Sequence, residues 1–577
     1  MKRTALLLTI CLLIPAIMQA KKETVTLHII ETSDVHGCFF PWDFINKQPM
    51  KGTLARLSTY VSNVRRENPD GVILLENGDI LQGQPINYFY NYINTEKTNI
   101  AAQCINYLKY DAQNWGNHDT ETGHPCYDKW GKEVNAPVLG ANVIDRKTGK
   151  PYLKPYTVIE RQGIRVAVIG MITPAIPNWL TEDLWSGLEF QDMVACARQW
   201  VETVKKEEKP DLIIGLFHAG LNGGISTAGY EEDASERVAK EVPGFDAVLF
   251  GHDHRVYNGR VRNTDNKEVV LCNPASNAQN AVDVTVTITR NGKKIVSKTI
   301  EGNIIDIRDM DIDAGFMEHF AKDIEEVKQW ADRKIGTTDK TITTRDCFFG
   351  SSAFTDLVHN LQMSITGADI SFNAPLTFNT TLAKGDITVA DMFKLYKFEN
   401  QLYIMMLSGE EVKKHLEMSY DMWVNTMTSP DDHIMMLDNT STGDNQRSGF
   451  KNMTFNFDSA AGIIYTVDVT KPYGQKVNII SMADGTPFDQ KKMYKVAVNS
   501  YRGNGGGELL TRGAGIPKEK LEERIIARTE HDQRWYLMKE IERLGTISPE
   551  PNGNWQFIPE EWTKPAIERD RRLIFGE

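Results

Sequence analysis

Short runs of mainly apolar residues recur along the first half of the chain, and each ends in a small or polar segment. That pattern is typical of buried strands in an α/β protein, where the chain leaves the sheet. Helical spacing of apolar residues at 192–208 and 234–241 predicts helices between such runs. We therefore predict a layered α/β domain over residues 21–310. Its predicted strands include VTLHII (25–30), VILLE (72–76), VAVIG (166–170), LIIGLF (212–217) and AVLF (247–250).

A helically spaced and highly charged segment, residues 311–334, follows this domain and predicts a connector helix. Residues 335–546 mix helical and strand patterns, which indicates a separate α+β domain. The remaining residues, 547–577, are rich in proline and are predicted to wrap a surface without regular structure. The elements predicted in the second domain include helices at 351–365 and 409–418 and strands at 402–407, 463–469 and 494–498.

The first 20 residues combine a basic start, an apolar run and a final small residue, as secretory signal peptides do. A membrane anchor is the alternative, but the run is shorter than the roughly 20 residues that a spanning helix needs, and Pro15 interrupts it. Cys11 raises the possibility of lipid attachment, as in lipoproteins, yet Ile10 before it does not match the small residue that usually precedes the lipidated cysteine. We predict a secreted or periplasmic protein without stable membrane insertion.

The charge of the chain limits its partners. With 65 Lys and Arg against 77 Asp and Glu, the formal net charge is −12. This balance argues against a surface for duplex nucleic acid, because affinity for a polyanion comes mainly from clustered basic residues. An acidic protein still binds phosphate where metal ions supply the positive charge. The six cysteines after residue 20 are irregularly spaced and indicate neither a zinc motif nor a disulfide framework, although one or two bridges would suit an oxidising compartment.

Polar side chains with metal-binding chemistry follow five predicted strands. In an open α/β sheet, the loops beyond the carboxyl ends of the strands converge on one crevice. A lone histidine in a loop is more often a satisfied side chain than a ligand, but five strand ends would each need an unrelated reason to carry such residues. We therefore predict a metal site. The residues are Asp34, His36, Asp79, Asn117, His118, His218, His252 and His254.

The number of donors favours two divalent cations. We assign Asp34, His36 and His254 to one cation and Asn117, His218 and His252 to the other, with Asp79 between them. Two adjacent cations acidify a water molecule and clamp the oxygens of an in-line displacement, which is the chemistry of phosphate ester hydrolysis. Mixed nitrogen and oxygen ligands suit zinc, manganese and similar metals, so the metal's identity stays open.

His118 is the one histidine of this set that the two cations do not require. An imidazole at that position is a candidate general acid for a departing alkoxide. A carboxylate on the far ring nitrogen would fix its tautomer. Asp119 and Glu121 are the two candidates for that carboxylate.

The ordered motifs DVHG, NGD, GNHD, FHAG and GHDH resemble those of the calcineurin-like metallophosphoesterases. The chain from about residue 25 to 545 resembles the secreted two-domain family of 5'-nucleotidases and 2',3'-cyclic-nucleotide 2'-phosphodiesterases. The resemblance implies a four-layer αββα domain, followed by a helix-linked α+β domain that holds the nucleoside and can rotate relative to the metals.

The same resemblance implies a nucleobase pocket in the second domain. The segment NSYRGNGGGELL (499–510) is similar to the family's loop with a base-stacking aromatic, for which we nominate Tyr501. Phe457 is our candidate for the opposite face of the base, with Phe455 as an alternative. Plain core packing is the competing interpretation for each ring.

Two departures from the family pattern bear on substrate and mechanism. The stretch NAPLTFN, which begins at Asn373, stands where many 5'-nucleotidases carry a phosphate-binding arginine, and this favours the 2',3'-cyclic branch. We keep Asn373 as a substrate-binding candidate, and Arg502 or Arg447 as substitutes for the arginine, with a surface salt bridge as the alternative role. Glu121 occupies the position where the family's histidine partner is usually Asp.

These features predict an exported enzyme that hydrolyses 2',3'-cyclic nucleotides and 3'-nucleotides to nucleoside and phosphate, with 5'-nucleotides as a further candidate substrate. A hydrolase of sugar nucleotides or of another phosphorylated metabolite is the alternative. A protein that binds nucleotides without hydrolysis is the alternative of a different class.

Overall fold

The structure, a computed structural model, describes residues 22–292, 294–438 and 449–577. Two six-stranded sheets form the centre of the N-terminal domain. The first sheet contains, in spatial order, Lys294–Asp306, Asn280–Asn291, Lys22–Thr32, Val72–Glu76, Ala112–Asn114 and Val138–Leu139. The second contains Val256–Arg262, Glu268–Pro274, Ala247–Phe250, Leu212–His218, Ile164–Ile172 and Tyr156–Arg161.

The two sheets pack face to face, and helices cover both outer faces. Successive strand residues point to opposite faces, so Ile29 lies in the core between the sheets while Ile30 faces the helices outside the first sheet. On the second sheet, Ile214 faces inwards and Ile213 faces its own outer helices. The predicted four-layer αββα arrangement is confirmed. The main covering helices are Leu54–Glu67, Pro85–Tyr88, Ile100–Leu108, Asn117–Glu121, His124–Glu133, Met193–Glu207 and Ser235–Glu241.

The predicted strands of this domain agree with the observed ones. Val72–Glu76 and Ala247–Phe250 have the predicted bounds. Each of the other three observed strands is longer than its prediction, by between one and five residues. The helix predicted at 192–208 is Met193–Glu207, and Asp192 caps it by accepting a hydrogen bond from the amide of Ala195 at 2.9 Å. Shorter strands form a three-stranded sheet and two hairpins. These are Leu188–Phe190, Val143–Asp145 and Lys150–Pro151, then Gly223–Ser226 with Glu231–Asp233, and Trp42–Asp43 with Gln48–Pro49.

The predicted connector is two helices, Ala314–His319 and Ala321–Ala331, so the prediction of one continuous helix is wrong. The chain departs from helical geometry at Phe320, which is fully buried. Phe316 and Phe320 both enter the outer core of the N-terminal domain, together with Ile324. Burial of these rings therefore accompanies the break between the helices.

A five-stranded sheet lies at the centre of the C-terminal domain, with smaller sheets around it. The five strands are Ser459–Ala461, Ile370–Asn373, Met493–Asn499, Gln401–Ser408 and Ile525–Asp532. The smaller sheets comprise Gly385–Thr388, Lys334–Thr338 and Thr546–Ile547; Val477–Met482, Ile463–Asp468 and Trp555–Ile558; and Ile342–Thr343 with Thr381–Leu382. The helices are Ala353–Thr366, Val389–Leu395, Gly409–Trp423, Ser500–Gly503, Leu521–Arg524, Gln533–Leu544 and Glu560–Phe575.

The C-terminal residues, predicted to lack regular structure, contain a strand and a 16-residue helix, so that prediction is wrong. Trp555 and Phe557 alternate with exposed Gln556 and pack into the core beside Trp423. Pro559 immediately precedes the helix, where no intrahelical N–H bond is required, whereas Pro565 lies inside the helix and removes one such bond without ending it.

All six cysteines in the described residues are buried thiols without a disulfide. The predicted signal peptide, residues 1–20, lies outside the described residues. Across the part of the chain that the structure describes, the helices lack the length or the apolar character needed to cross a bilayer.

Candidate functional site

Seven predicted metal-site residues meet at the carboxyl ends of the strands of the two sheets. We call this group the acceptor cluster. Asp34 follows the strand Lys22–Thr32, Asp79 follows Val72–Glu76, and His218 ends its own strand. The sequence places these residues far apart, and the shared edge of the sandwich brings them together. The acceptor cluster consists of Asp34, His36, Asp79, Asn117, His218, His252 and His254.

One half of the acceptor cluster contains Asp34, His36 and His254. His36 Nδ1 lies 3.2 Å from the carbonyl oxygen of Gln82, which places the ring proton there and leaves a lone pair on Nε2. That Nε2 lies 3.2 Å from His254 Nε2, which in turn lies 3.1 Å from Asp34 Oδ1. Asp34 Oδ1 is buried, and apart from this contact with His254 it has no hydrogen-bond partner among the described residues. A lone pair and a carboxylate that converge in this way fit a divalent cation.

The other half contains Asn117, His218 and His252. His218 Nδ1 donates to the carbonyl oxygen of Asn77 at 2.7 Å, so its Nε2 carries a lone pair. Asn117 Oδ1 lies 3.1 Å from that Nε2 and 2.8 Å from His252 Nδ1. His252 Nε2 faces the Glu232 carboxylate at 3.2 Å, so its proton belongs on that side and Nδ1 faces the cluster as an acceptor. This donor set also fits a divalent cation.

Asp79 lies between the two halves. Its Oδ2 is 3.2 Å from His218 Nε2, and its Oδ1 accepts a hydrogen bond from the amide of His118 at 2.7 Å. Ligand atoms of Asp34, Asp79 and His218 lie within 4.8 Å of one another. Asp79 therefore has the position expected of a carboxylate shared by two cations.

The backbone of the acceptor cluster is strained. Five of its seven residues have positive φ: Asp34 (51°), His36 (49°), Asp79 (58°), His252 (74°) and His254 (56°). Side chains other than glycine rarely adopt this region, and it costs about 1–3 kcal/mol where the surrounding structure enforces it. Such strain accumulates at functional sites, because the tight turns aim side chains that a relaxed loop would not bring together.

The glycine of the GNHD motif is required by close approach. A Cβ atom on Gly116 would collide with the Asp79 carboxylate and with the amide of the same residue. The loop that carries Asn117 therefore packs directly against the loop that carries Asp79. This contact explains why the motif begins with glycine.

The charges of the acceptor cluster favour bound positive charge. Burial alone would raise the pKa of Asp34, but His218 and His254 hold it well below its usual range. Burial would lower the pKa of His218, but Asp79 and Asp34 raise it to about 9. In the protein alone the buried carboxylates thus hold protons on the neighbouring imidazoles, and a bound divalent cation would replace those protons.

His118 and Glu121 form a pair on the short helix Asn117–Glu121. Residues three apart lie on one face of a helix, and Glu121 Oε2 lies 2.6 Å from His118 Nδ1. Burial would lower the pKa of His118, but Asp79 and Glu121 raise it to about 9. Of the two carboxylates considered from the sequence, the structure pairs Glu121 with the histidine.

Asp119 has a different place. Its carboxylate accepts hydrogen bonds from the amides of Gly116, Asp79, Ile80 and Leu81 at 2.8–2.9 Å. These bonds tie the loop of Asp79 to the helix of His118. The prediction that Asp119 is a catalytic partner of His118 is therefore corrected: Asp119 organises the two loops, because its oxygens are occupied by backbone donors.

A row of aromatic rings leads from His118 into the C-terminal domain. The Phe398 ring is nearly parallel to the His118 ring, at 6.4 Å between centroids and 8° between planes. Phe455 lies 6.5 Å from Phe398, and Tyr501 lies 5.9 Å from Phe455. Phe398, Phe455 and Tyr501 are all partly exposed. We call His118, Phe398, Phe455 and Tyr501 the aromatic row.

The structure corrects Phe457 as a base-stacking residue. Its side chain is fully buried and stacks on Trp423, with centroids 5.3 Å apart and planes 7° apart. Phe457 therefore belongs to the core of the C-terminal domain. Phe455, the alternative two positions earlier, faces Tyr501 instead.

The structure also corrects Arg502 as a phosphate-binding residue. It is 2% exposed, and every one of its five N–H groups donates to a protein acceptor. Its ion pair with Asp458 is buried, not on the surface as the sequence suggested. Arg447 lies outside the described residues. Asn373 is buried at the end of its strand, and its Oδ1 has no hydrogen-bond partner among the described residues.

Sequence reasoning missed three residues that lie at the site. Phe398 is in the turn before Gln401–Ser408, Trp179 has its ring 5.6 Å from that of His252, and Glu232 contacts His252 from the hairpin Glu231–Asp233. Phe398 lies in AKGDITVADMFKLYKFENQLYIMMLSGEE (383–411), a segment whose sequence is similar to one in the family, and this similarity is the one signal in the sequence that points to it. Trp179 follows the short helical turn Ile176–Asn178 and Glu232 lies in the strand Glu231–Asp233, and the local sequence of each carries no motif.

Comparison with known proteins identifies the family. Residues 27–256 match the family model described as calcineurin-like phosphoesterase, and residues 334–512 match the one described as 5'-nucleotidase, C-terminal domain. The chain belongs to the two-domain 5'-nucleotidase family of calcineurin-like metallophosphoesterases. It is accordingly a metal-dependent phosphoric ester hydrolase.

Relatives match over most of this family member's length. A 2',3'-cyclic-nucleotide 2'-phosphodiesterase/3'-nucleotidase of Haemophilus influenzae is 26% identical, over 94% of this chain and 89% of the relative. A trifunctional nucleotide phosphoesterase protein of Bacillus subtilis is 25% identical over 94% of this chain, which spans 40% of that relative's length. The crystal structure of a putative 5'-nucleotidase from Staphylococcus aureus has the same fold, with a TM-score of 0.75 and 22% identity over 92% of this chain and all of that one.

Proposed function

We propose that the protein is an exported enzyme that hydrolyses 2',3'-cyclic nucleotides and 3'-nucleotides to nucleoside and phosphate with the help of two divalent cations. The observation that carries the proposal is the aromatic row, which extends from the general-acid candidate His118 to Tyr501 in the C-terminal domain. A phosphate at the acceptor cluster and a base beside the distal rings are the two ends of a nucleotide. Relatives named for these substrates support the choice.

The acceptor cluster would hold the cations. Asp34, His36 and His254 form one candidate ligand set, Asn117, His218 and His252 form the other, and Asp79 faces both. When bound, two cations acidify a water molecule and neutralise phosphoryl charge. Glu121 and the carbonyl oxygens of Gln82 and Asn77 fix the protons of the imidazoles that face the site.

His118 supplies the proton that the leaving group needs. Glu121 accepts the proton of His118 Nδ1, so the Nε2 proton of the imidazolium is the one available for transfer. In hydrolysis of a 3'-nucleotide, the bond between phosphorus and the ribose O3' breaks as a water oxygen bonds to phosphorus. O3' takes the Nε2 proton, and the attacking water releases one proton to the solvent. General acid catalysis of this kind contributes typically about 10²–10⁴-fold.

The aromatic rings give the base a place to stack. Stacking tolerates any base because each has a π-face, and one stack contributes about 1–3 kcal/mol. Phe455 and Tyr501 lie on separate loops of the C-terminal domain. Their ring planes are 87° apart, so they are our candidates for two perpendicular walls of the base pocket.

A substrate panel tests this proposal. The purified protein, supplied with Mn²⁺ or Zn²⁺, is assayed for phosphate release from 2',3'-cyclic AMP, 3'-AMP, 5'-AMP, a sugar nucleotide and p-nitrophenyl phosphate. We expect the first two to have the highest kcat/KM. Turnover restricted to the sugar nucleotide or to p-nitrophenyl phosphate would overturn the substrate assignment, and equilibrium binding of nucleotides without turnover would support a binding protein instead.

The proposal of export is supported by the pattern of residues 1–20. We expect the mature protein to begin near Lys21 and to be found outside the cytoplasm. Amino-terminal sequencing of the protein from each cell fraction tests this. A protein that retains Met1 in the cytoplasmic fraction would contradict export without affecting the proposed reaction.

A further inference from the structure

The two distal rings of the aromatic row stand on segments that are separate in sequence. Phe455 belongs to the turn Thr454–Asn456, and Tyr501 belongs to the short helix Ser500–Gly503. Their ring planes are 87° apart. The rings contact each other edge to face, with centroids 5.9 Å apart, and a side chain behind them joins the two segments.

Arg502 connects these two segments. Its Nη2 donates to the carbonyl oxygen of Phe455 at 3.0 Å, and its Nη1 donates to the carbonyl oxygen of Gly506 at 2.5 Å and to Asn456 Oδ1 at 3.2 Å. Nε and Nη2 form a two-point contact with Asp458 at 2.8 and 2.9 Å. One guanidinium therefore bonds to the residue that carries the first ring and to the loop after the second ring.

The connection is buried and closely packed. Arg502 is 2% exposed and Asp458 is 3% exposed. Asp458 Oδ2 also faces His415 Nε2 at 2.8 Å, and the His415 ring stacks on Phe372 at 4.0 Å, which anchors the pair to the sheet and to the helix Gly409–Trp423. Next to it, Gly507 has φ of 67°, and a Cβ atom there would collide with Arg502 Nη1.

The role of this buried ion pair is better explained by the positions it gives to its neighbours than by a contribution to the stability of the fold. Removing two charges from water costs about as much as their attraction returns, so hydrophobic replacements are often neutral or stabilising. The planar guanidinium, in contrast, presents its donors in a fixed fork that lysine cannot reproduce. Its contacts with Phe455, Asn456 and Gly506 fix the distance between the two loops.

We propose that Arg502 and Asp458 are positioning residues that hold Phe455 and Tyr501 in the edge-to-face arrangement that lines two sides of a nucleobase. The inference rests on the proposed function, because it assigns the two rings to the base. It extends that function, since neither residue touches the base. The substrate class follows: the pair serves phosphate esters whose planar base is joined to the phosphate through a ribose. It does not serve p-nitrophenyl phosphate, whose ring is bonded directly to the phosphate oxygen and lacks the ribose that would carry it to Phe455 and Tyr501.

Arg502→Lys is the decisive variant, because it keeps the charge and removes the fork. We expect KM for 3'-AMP to rise by about 10-fold or more, since one stack is worth about 1–3 kcal/mol and 1.4 kcal/mol is tenfold. The kcat for 3'-AMP and the kcat/KM for p-nitrophenyl phosphate should stay as in the parent enzyme. Equal losses on the two substrates would overturn the positioning role in favour of general stability.

Arg524→Lys is the matched control. Arg524 pairs with Glu411 at 2.9 Å in the same domain, and it contacts neither aromatic ring. We expect both substrates to be hydrolysed by this variant as by the parent enzyme. If Arg502→Lys does not fold, the double variant Arg502→Met with Asp458→Leu removes both charges together. It should retain activity on p-nitrophenyl phosphate and lose the preference for 3'-AMP.

Hydrogen exchange separates this inference from the proposed function. In the full-length protein, Arg502→Lys should accelerate exchange in residues 454–458 and in residues 499–508 together. Acceleration in the second segment alone would overturn the claim that Arg502 joins the two. If the parent enzyme does not hydrolyse nucleotides, the proposed function fails, while the exchange result still decides whether Arg502 positions the rings.

Discussion

The acceptor cluster of the N-terminal domain and the distal rings of the aromatic row use different parts of the fold. The residues of the cluster stand at or just after the ends of strands whose positions the edge of a sheet determines. Phe455 and Tyr501 stand on loops, and a buried ion pair behind them holds those loops together. Chemistry at the metals thus depends on backbone topology, and substrate recognition depends on side-chain packing.

This difference has a consequence for substitutions. A change in the acceptor cluster removes a ligand and should affect every substrate alike. A change at the distal rings or behind them should affect only substrates with a base.

Asp79→Ala should abolish the reaction on all substrates. Asp79 faces both halves of the acceptor cluster, so its loss should disturb both cations. We expect kcat/KM to fall by about 10³-fold or more, because clamping by two metals supplies several kcal/mol and 1.36 kcal/mol is tenfold. Steady-state kinetics and elemental analysis of the same sample measure the effect.

Asp283→Asn is the control for that variant. Asp283 is also a buried aspartate of the first sheet, but it accepts hydrogen bonds from Tyr60 and faces His28 away from the cluster. The Asp283→Asn variant should keep the metal content and the turnover of the parent enzyme. Normal activity and metal content in Asp79→Ala would contradict the assignment of the cluster as a metal site.

Glu121→Gln should lower kcat by about 10–100-fold, the usual effect of removing a carboxylate that orients a functional histidine. The reason is that the amide of Gln still accepts from His118 Nδ1 but lacks the charge with which Glu121, together with Asp79, raises the pKa of His118 to about 9. Asp119→Asn should act differently, because this carboxylate accepts four backbone amides. Loss of one such bond to a charged acceptor costs about 1–3 kcal/mol, which thermal unfolding should detect. Reversal of the two outcomes would restore Asp119 as the catalytic partner.

The sequence predicts the N-terminal domain closely for a physical reason. A buried strand has a run of apolar residues in the sequence, and the metal-binding residues follow such runs directly. The strand Val72–Glu76 and the ligand candidate Asp79 can therefore be predicted from local pattern alone. The break at Phe320 and the strand Trp555–Ile558 were not predicted, because both depend on which hydrophobic surface the rings meet. A local pattern does not contain that information.

The same limit explains the corrections in the C-terminal domain. Phe455 and Phe457 have nearly identical local sequence, and packing against Trp423 alone distinguishes them. Arg502 beside a glycine-rich loop has the sequence signature of an anion contact, but a partner 44 positions earlier, Asp458, takes its charge. Local sequence predicts that a pocket is present, and the partners across the domain determine which side chains face it.

Substitution of Phe455 and of Phe457, one at a time, tests the contrast between a ring that faces the substrate and a ring in the core. Phe455→Ala should raise KM for 3'-AMP by about 5–100-fold without changing p-nitrophenyl phosphate hydrolysis, since one stack is worth about 1–3 kcal/mol. Phe457→Ala should instead reduce stability by about 3–5 kcal/mol through loss of core packing. Kinetics on both substrates and denaturant unfolding distinguish them. A base-specific KM effect in Phe457→Ala would reinstate the residue predicted from the sequence.

The smallest expected effect is a loss of folding stability at acid pH. Burial would raise the pKa of Asp458, but Arg502 and His415 lower it to about 2, against about 3.9 in an unfolded chain. A carboxyl whose pKa is lower in the folded protein stabilises it above pH 4, and that contribution is lost as pH falls from about 4 to 2.

We therefore expect the parent protein to lose about 2 kcal/mol of unfolding free energy from this group over that range, at 1.36 kcal/mol for each pKa unit. Asp458→Asn should be less stable at neutral pH and should lose less on acidification. Urea unfolding followed by tryptophan fluorescence at pH 5, 4 and 3 compares the two slopes. Parallel slopes would show that the ion pair behind the aromatic rings is not charged in the folded protein, and Arg502 would then be held by its carbonyl contacts alone.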